Sequence, residues 1–443
     1  MKYKRLLLIP AVVSLGASLL TGCGGSSGDY EFTVWTFSNE MSKMVRKYYA
    51  GHNVNVVPKN SVTQVQTDFK AYLKAGKELP DVLCLEAAVV AEYRKKEDKD
   101  NPLMPLEDIA DLSDMYSYTK EVVTTPDNHL IGLSWQATPG GFFYRSDIAS
   151  RIGITTVDQM EGYLSSWSSF LELADLCKTN RLMVLSSITD PIKAFLSDRT
   201  KPWVEGNILN MQSVMFGGGE EDYNCFDVVR KLQQSNYTNQ TTERQSSYWN
   251  DMKQDLVLGF FMSSWGLNFD LMPHAGSTAG KWKMCKSPTN YFKGGTWLAV
   301  PKGAPHADAA KKFIKYVTTD KEFLKNRCLE TGDFMNSLTV MGELKDTDLS
   351  KSEFGIFLGG QSDHIKKLYE VAQSINGNLI SPADAIIDGA FQSACADFAL
   401  AGYDGSGADP FNSEEIEQAR NSFKSNFIVQ VKKSYPNLVP KDE

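Results

Sequence analysis

Strand-like and helix-like patterns alternate quickly over residues 31–86, and this alternation constrains the fold more than any other feature of the chain. Helical periodicity, which ends near Gly76, separates three strand-like runs: Phe32–Trp35, Asn53–Val57 and Val82–Leu85. Short apolar runs bounded by turn residues are typical of strands buried between layers of helices. The order β-α-β-α-β therefore predicts an α/β fold with a mostly parallel, helix-covered sheet.

The rest of the chain continues the mixture of elements. Four further runs are strand-like: Leu130–Trp135, Gly141–Tyr144, Leu256–Met262 and Trp297–Val300. Helices are predicted over Leu164–Cys177, after a cap at Asp308, and through most of the chain from Phe354 on. Asn236–Ser247 is polar and predicts a surface loop. At 443 residues the chain is too long for one ordinary domain and suits two lobes.

The N-terminus has the composition of an export signal. Lys2, Lys4 and Arg5 precede the apolar stretch Leu6–Leu20, which is too short to cross a bilayer comfortably. The tetrapeptide ending at Cys23 resembles a bacterial lipobox, in which the cysteine is lipidated and becomes the new N-terminus. The alternative is a chance cysteine after an ordinary signal.

A flexible tether follows this cysteine, because Gly24–Gly28 contains only glycine and serine. We therefore predict a lipoprotein signal peptide at 1–22, and a lipidated Cys23 with its tether at 23–28. The mature protein is expected outside the cytoplasm, anchored to the bacterial cell membrane by lipid on Cys23. Two acyl chains hold a protein stably on a membrane, whereas one does not.

Charge and cysteine usage exclude several classes of protein. The formal net charge of −8 argues against a nucleic-acid partner and against a face that lies on anionic lipid. The five histidines form no spacing typical of metal ligands, and no phosphate-cradling loop is present, so neither a metal nor a cofactor is predicted. Six cysteines remain after Cys23, widely spaced and without a C-x-x-C pair, and they are predicted to be free.

Three residues are predicted to lie near the carboxyl ends of strands, where open α/β sheets bind their ligands: Trp35, Glu86 and Trp265. Indole rings can stack on the apolar C–H faces of a sugar, and a carboxylate accepts hydrogen bonds from its hydroxyls. Gly294 and Gly295 directly precede Trp297, where glycine would allow close approach of a ligand or the dihedral changes of a hinge. The alternative is that each tryptophan fills the core.

An ordered set of segments resembles the extracellular solute-binding lipoproteins of carbohydrate ABC importers, in the broad family 1, maltose-binding-protein-like group. The segments are Thr33–Glu40, Pro80–Glu86, Trp135–Arg145, Gly259–Trp265 and Gly294–Gly303. The resemblance implies a two-lobed, type II periplasmic-binding-protein-like fold, with hinge strands and a ligand cleft between the lobes. Lobe 1 would take residues 29–139 and 296–345, and lobe 2 would take 140–293 and 346–443.

The resemblance also implies the ligand-binding residues. Trp265 matches a sugar-stacking tryptophan of lobe 2, and Glu86 and Gln136 match positions that face the cleft from lobe 1 or the hinge. The other implied positions lie on the first strand–helix loop, at the hinge-side floor and on lobe 2: Trp35 and Glu40, Gly295 and Trp297, and Asp190 and Phe391. Alanines follow Glu86 where many relatives have polar groups, which leaves its hydroxyl contacts open.

The function implied is capture of a sugar or oligosaccharide outside the cell and its delivery to the membrane permease subunits of an ABC transporter. The protein is expected to be a monomer, to bind no nucleic acid and to catalyse no reaction. A surface-anchored glycoside hydrolase remains the alternative, with Glu86 as one candidate carboxylate. A surface protein that binds other proteins or peptides is a third possibility.

Overall fold

The computed structural model describes residues 30–220, 223–406 and 412–442. Cys23, the signal peptide and the tether predicted from the sequence lie outside these residues. The strands are β1 Phe32–Thr36, β2 Val54–Pro58, β3 Val82–Leu85, β4 Leu133–Ser134, β5 Gly140–Arg145, β6 Met183–Leu185, β7 Val204–Glu205, β8 Ile208–Asn210, β9 Gly219–Glu220, β10 Tyr223–Asn224, β11 Val257–Ser263, β12 Trp282–Cys285, β13 Trp297–Ala299 and β14 Val439–Lys441.

Helices cover both sheets and form most of the C-terminal part of the chain. They are α1 Glu40–Tyr48, α2 Val62–Ala75, α3 Ala87–Ala91, α4 Ser117–Glu121, α5 Ser146–Arg151, α6 Val157–Tyr163, α7 Trp167–Thr179, α8 Ile192–Ser197, α9 Met211–Phe216, α10 Cys225–Gln234, α11 Ser246–Asp251, α12 Ser264–Gly266, α13 Met272–His274, α14 Ala307–Thr319, α15 Lys321–Thr331, α16 Leu338–Leu344, α17 Glu353–Phe357, α18 His364–Ala372, α19 Asp384–Leu400 and α20 Ser413–Ser434. A π-helical turn, Leu267–Leu271, joins α12 to α13. In the part of the chain that the structure describes, no helix has both the length and the apolar character needed to cross a bilayer.

The first sheet has the strand order β2-β1-β3-β13-β4. β1 pairs in parallel with β2 and β3, and the late strand β13 enters antiparallel between β3 and β4. α2 lies between β2 and β3. It begins where the Ser61 hydroxyl accepts a hydrogen bond from the Gln64 backbone N–H, and it ends at Gly76 with φ +60°. The β-α-β-α-β prediction for this region is confirmed.

The second sheet has the order β12-β5-β11-β6, in which β5 is antiparallel to both β11 and β12. On one face, Phe142 and Phe261 belong to a core that also includes side chains of α7, α8 and α19. The other face, which includes Phe143 and Phe260, belongs to the core that also contains the first sheet. Residues 135–139 and 286–296 join the two sheets, so the chain crosses between them at least twice.

Some sequence predictions differ from the structure at element ends. Trp35 lies inside β1 rather than after it, because the strand continues to Thr36. Asp308 lies in the first turn of α14 and does not cap it, because that helix begins at Ala307. The short strand β14, which pairs in parallel with β8, was not predicted. Within the described residues the six remaining cysteines are buried and free of disulfides.

Candidate functional site

A cavity of about 260 Å³ lies between the ends of the two sheets, and we call it the cleft cavity. Its walls come from the loops after β1, β3 and β4, from the helix that follows β11, and from the segment that enters β13. The lining residues are Phe37, Ser38, Glu40, Val62, Glu86, Gln136, Arg244, Trp265, Phe269, Gly294, Gly295 and Thr296. Five predicted site residues are therefore brought together here: Glu40, Glu86, Gln136, Trp265 and Gly295.

The floor of the cleft cavity is formed by two chain segments that run between the sheets. Pro139 forms an isolated antiparallel bridge with Phe292, and the Lys293 backbone N–H donates to the Thr138 carbonyl at 3.3 Å. Gly294 and Gly295 follow, with φ +73° and +90°. These angles lie in the left-handed region that side chains rarely adopt, so glycine is needed at both positions.

Trp265 is half-buried, and its indole N–H donates to the backbone carbonyl of Lys293 at 2.8 Å. The ring is thereby held beside Gly294, where an added Cβ atom would lie 3.1 Å from Nε1. The guanidinium carbon of Arg244 stands 5.3 Å from the ring centroid. Such anchoring makes Trp265 a preformed aromatic wall of the cleft cavity.

Glu40 forms the acidic corner of the cleft cavity. Its Oε1 accepts a hydrogen bond from Arg327 Nη2 at 2.6 Å, and both side chains are buried. Burial raises the pKa of Glu40 to about 7, against the opposing charge of Arg327, while the nearby Asp333 raises it further. The Glu40 carboxyl thus titrates near neutral pH, although an arginine is its direct partner.

The free energy of unfolding should depend on pH because the Glu40 carboxyl titrates at different pH values in the folded and unfolded states. Because the folded-state pKa of Glu40 is raised, its contribution to the free energy of unfolding is complete below the unfolded pKa of about 4.5. That contribution is lost as pH rises through about 7. The free energy of unfolding of the wild type, minus that of Glu40→Gln, should therefore decrease as the pH is raised from about 4.5 to about 7. Urea unfolding at a series of pH values measures it, and a constant difference would contradict the assignment.

Gln136 is held by a buried carboxylate. Its Nε2 donates to Asp333 Oδ2 at 2.5 Å, and Ser264, the residue before Trp265, donates through Oγ to Asp333 Oδ1 at 2.5 Å. All three of these side chains are at most 3% exposed. Burial raises the pKa of Asp333, while the hydrogen bonds from Ser264 and Gln136 favour its ionised form. The amide therefore lies between a polar anchor and the cleft cavity.

A smaller cavity of about 50 Å³ adjoins the cleft cavity and shares Glu86 and Gly294 with it. Charged residues on its walls include Lys193, Arg199 and Lys293. The charges of Glu86, Asp388 and Glu243 raise the pKa of Lys293, although burial opposes them. Cations and carboxylates here can supply both donors and acceptors to a polar ligand.

Two predicted tryptophans lie away from the cavity lining. Trp35 is 6% exposed, with its ring edge-on to Tyr72 at 5.0 Å and the Lys59 ammonium 4.1 Å above it. Trp297 is fully buried beneath Gly295, and its indole N–H donates to the carbonyl of Thr119. Both positions lie within strands, where they point into the core that contains the first sheet.

Asp190 and Phe391 also occupy interior positions. The Phe391 ring packs 4.9 Å from that of Trp203, in the core beneath the second sheet. Asp190 is fully buried and accepts hydrogen bonds from Tyr248 Oη, the Phe261 backbone N–H and Lys193 Nζ. The structure therefore places neither residue on the lining of the cleft cavity. Asp190 supports this site only through Lys193, which lines the adjoining cavity.

Among the lining residues that were not predicted from the sequence, three add aromatic rings or a charge: Phe37, Phe269 and Arg244. Phe37 is the first residue after β1, so the strand-end rule that selected Trp35 applies to it once the strand is known to end at Thr36. Phe269 lies four positions after Trp265 in a helical stretch, and this spacing puts both rings on one face. Arg244 belongs to a polar segment predicted as surface loop, and no local pattern indicates its approach to Trp265.

The residues that line these cavities offer hydrogen bonds and aromatic surface. In the described residues, no group of histidine, cysteine and carboxylate side chains is arranged to hold a metal ion.

Comparison with known proteins identifies the family. The family model described as "Bacterial extracellular solute-binding protein" matches residues 43–339. The chain is 22% identical over 411 residues to the arabinooligosaccharide-binding protein of Bacillus subtilis (strain 168), covering 79% of this chain and 86% of that one.

Solved structures of similar fold include two complexes with sugars. One is the ABC transporter associated binding protein from B. animalis subsp. lactis Bl-04 with β-1,6-galactobiose, at TM-score 0.67 and 20% identity, covering 93% of this chain and 99% of that one. The other is the galacto-N-biose-/lacto-N-biose I-binding protein of Bifidobacterium longum with lacto-N-biose, at TM-score 0.66 and 16% identity, covering 93% and 98%. The fold predicted from the sequence is confirmed, and the chain belongs to the family of bacterial extracellular solute-binding proteins.

Proposed function

We propose that this protein captures a sugar or oligosaccharide outside the cell and delivers it to the permease subunits of an ABC transporter. The observation that carries the proposal is the cleft cavity, to which the segment after β11 contributes Trp265 and Phe269, while the segments after β1, β3 and β4 contribute Phe37, Glu40, Glu86 and Gln136. Aromatic rings can stack on the apolar C–H faces of a sugar, and the polar side chains can accept hydrogen bonds from its hydroxyl groups.

The known binding partners of relatives agree with this chemistry. The relative from Bacillus subtilis is named for arabinooligosaccharides, and the two bifidobacterial structures hold β-1,6-galactobiose and lacto-N-biose. An aromatic contact contributes about 0.5–1.5 kcal/mol beyond area burial. With hydrogen bonds from the opposite wall, micromolar affinity, or about −8 kcal/mol, is within reach.

We propose that the protein holds its ligand by closure of two lobes around it. We assign residues 29–139 and 296–345 to lobe 1, and 140–293 and 346–443 to lobe 2. The two sheets and the crossings at 135–139 and 286–296 support this division. Rotation about the crossings brings both walls onto the ligand. The closed monomer is the form that a permease would recognise.

A glycan panel tests the proposed function. The protein from residue 29 onwards is mixed with arabino-, galacto-, xylo-, cello- and malto-oligosaccharides, and its melting temperature is measured. A ligand present at about 100 times its Kd should stabilise the folded state by about 2.7 kcal/mol, which is a readable rise in melting temperature. An unchanged melting temperature with every oligosaccharide of the panel would contradict carbohydrate binding.

The same samples separate a binder from the alternative hydrolase. The enzyme would need two facing carboxylates and would release shorter products during long incubation. We expect saturable binding heat and an unchanged oligosaccharide by chromatography, because the cleft is proposed only to hold its ligand. Product that accumulates with time would favour the hydrolase.

Membership of an extracellular solute-binding family places the protein outside the cytoplasm. We further propose that lipid on Cys23 anchors it to the membrane, after removal of the signal peptide at 1–22. Cys23→Ser should shift the protein from the membrane fraction to the soluble fraction, since it removes the proposed attachment point of the acyl chains. Fractionation and immunoblotting measure the shift, with Cys84→Ser, a change in a buried thiol, as the control. Recovery of the wild type in the soluble fraction, to the same extent as the Cys23→Ser protein, would refute the anchor.

A further inference from the structure

A buried carboxylate outside the cleft cavity fixes the orientation of the Gln136 side chain. Gln136 lines the cavity, and its Nε2 donates to Oδ2 of the buried Asp333. In the described residues no hydrogen bond involves the other amide atom, Oε1. Asp333 itself does not line the cavity, and it also accepts hydrogen bonds from the Ser264 hydroxyl and the Phe334 backbone N–H.

We propose that Asp333 is a positioning residue: its carboxylate turns the Gln136 amide so that the carbonyl oxygen Oε1 is offered to the ligand. This inference rests on the proposed function of the cleft. It assigns the cleft a ligand that donates a hydroxyl at this point. An amide in the opposite orientation would instead offer an N–H.

The orientation follows from what each group can do. An ionised carboxylate only accepts hydrogen bonds, whereas one side of a glutamine amide donates and the other accepts. The side of Gln136 nearest Asp333 must therefore be Nε2, because two oxygens there would repel each other. Both residues are at most 3% exposed, so water does not replace the lost bond if the amide turns over.

The same carboxylate also joins the two walls of the cleft. Ser264, which donates to Asp333 Oδ1, lies at the start of α12 directly before Trp265, while Gln136 follows β4 of the first sheet. One buried group therefore sets both a hydrogen-bond acceptor and the helix that carries the aromatic wall. A shift of Asp333 would misplace both at once.

The variant Asp333→Asn tests the orientation with little change in shape. The introduced asparagine can keep its oxygen towards Ser264 and Phe334, but it then presents an NH₂ group to Gln136. The Gln136 amide must turn over, so that Nε2 faces the ligand. With the best-binding oligosaccharide of the arabino- and galacto-oligosaccharide series as probe, we expect about a tenfold or greater rise in Kd by calorimetry.

A second substitution should restore binding if Asp333 acts through Gln136. In the double variant Gln136→Glu with Asp333→Asn, the introduced glutamate accepts the N–H of the introduced asparagine and still offers an acceptor to the ligand. Its Kd should return to within about threefold of wild type, a fraction of the tenfold loss expected for one misdirected hydrogen bond. A merely structural role for Asp333 would give no rescue.

Asp114→Asn is the matched control. Like Asp333, Asp114 accepts several hydrogen bonds, among them those from the hydroxyls of Ser337 and Thr339, but it lies outside the cavity lining. Its substitution should leave the Kd for the same probe unchanged. If Asp333→Asn also leaves the Kd unchanged, while wild type binds the probe, the inference is overturned and the proposed function stands.

An NMR measurement without ligand distinguishes failure of this inference from failure of the proposed function. In protein labelled with ¹⁵N-glutamine, the side-chain amide signals of Gln136 are assigned by their loss in Gln136→Ala. Asp333→Asn should move them, because Nε2 leaves its carboxylate partner, and Asp114→Asn should not. Unmoved signals in Asp333→Asn overturn the inference even if no glycan binds, whereas shifted signals without glycan binding support it and refute only the proposed function.

Discussion

Replacing Trp265 with alanine is expected to weaken oligosaccharide binding at least thirtyfold, the largest loss of affinity predicted for a single substitution in this protein. The indole is the largest aromatic ring among the residues that line the cleft cavity, and its hydrogen bond to the Lys293 carbonyl holds the ring in place before the ligand arrives. Buried tryptophans at binding sites typically account for about 2–4 kcal/mol. Titration calorimetry with the tightest ligand from the glycan panel measures the loss.

Trp265→Phe and Trp249→Ala complete the experiment. Phenylalanine keeps a ring but loses the N–H that anchors it, so an intermediate affinity is expected. Trp249 is also half-buried and stacks on His274 at 4.4 Å, but it does not line the cleft cavity. Its removal should leave affinity unchanged. Equal Kd values for wild type and Trp265→Ala would remove the stacking role from the proposed function.

Asp190→Ala is expected to lower the free energy of unfolding by about 3–5 kcal/mol, the largest stability effect predicted here. The change removes the acceptor of Tyr248 Oη and of the Phe261 backbone N–H, and it takes one of two carboxylate partners from the buried Lys193. Buried donors left without partners lose their bonds to water and gain nothing in return. Urea unfolding followed by circular dichroism measures the loss.

Asp346→Ala provides the comparison for this loss. Asp346 also pairs with a lysine, but its carboxylate is largely exposed, and exposed pairs contribute at most about 1 kcal/mol. If Asp190→Ala unfolds at the same urea concentration as Asp346→Ala, the buried network is not a source of stability. The experiment also separates a structural role of Asp190 from the ligand contact implied by the sequence resemblance.

The early fold was predictable because its signals are local. Apolar runs, helical spacing and Gly76 all lie within residues 31–86, and the parallel pairing of β1 with β2 and β3 follows from them. The insertion of β13 between β3 and β4 has no such signal, since it depends on a strand more than 200 residues away in sequence. The family resemblance assigned residues 296–345 to the same lobe as residues 29–139, but it did not predict the place of this strand in the sheet.

Contact with the cleft cavity was predicted correctly for residues that follow a strand and wrongly for residues that lie within one. Glu86 and Trp265 follow β3 and β11 and reach the cleft cavity. Trp35 is the last residue but one of β1 and Trp297 is the first residue of β13, so both lie inside strands, and both side chains are buried in the core. Asp333 could not be predicted, because its role depends on Ser264 and Gln136, which are distant in sequence.

The paired crossings beneath the cleft cavity have a mechanical consequence. Residues near Pro139 and Phe292 run antiparallel and bond to each other, so they form a narrow ribbon. The hydrogen bonds between the two segments oppose sliding of one past the other, whereas bending of the ribbon out of its plane leaves them in place. In the hinge motion proposed above, the two lobes would therefore move by bending at this ribbon, and Trp265 would approach every incoming molecule along the same arc.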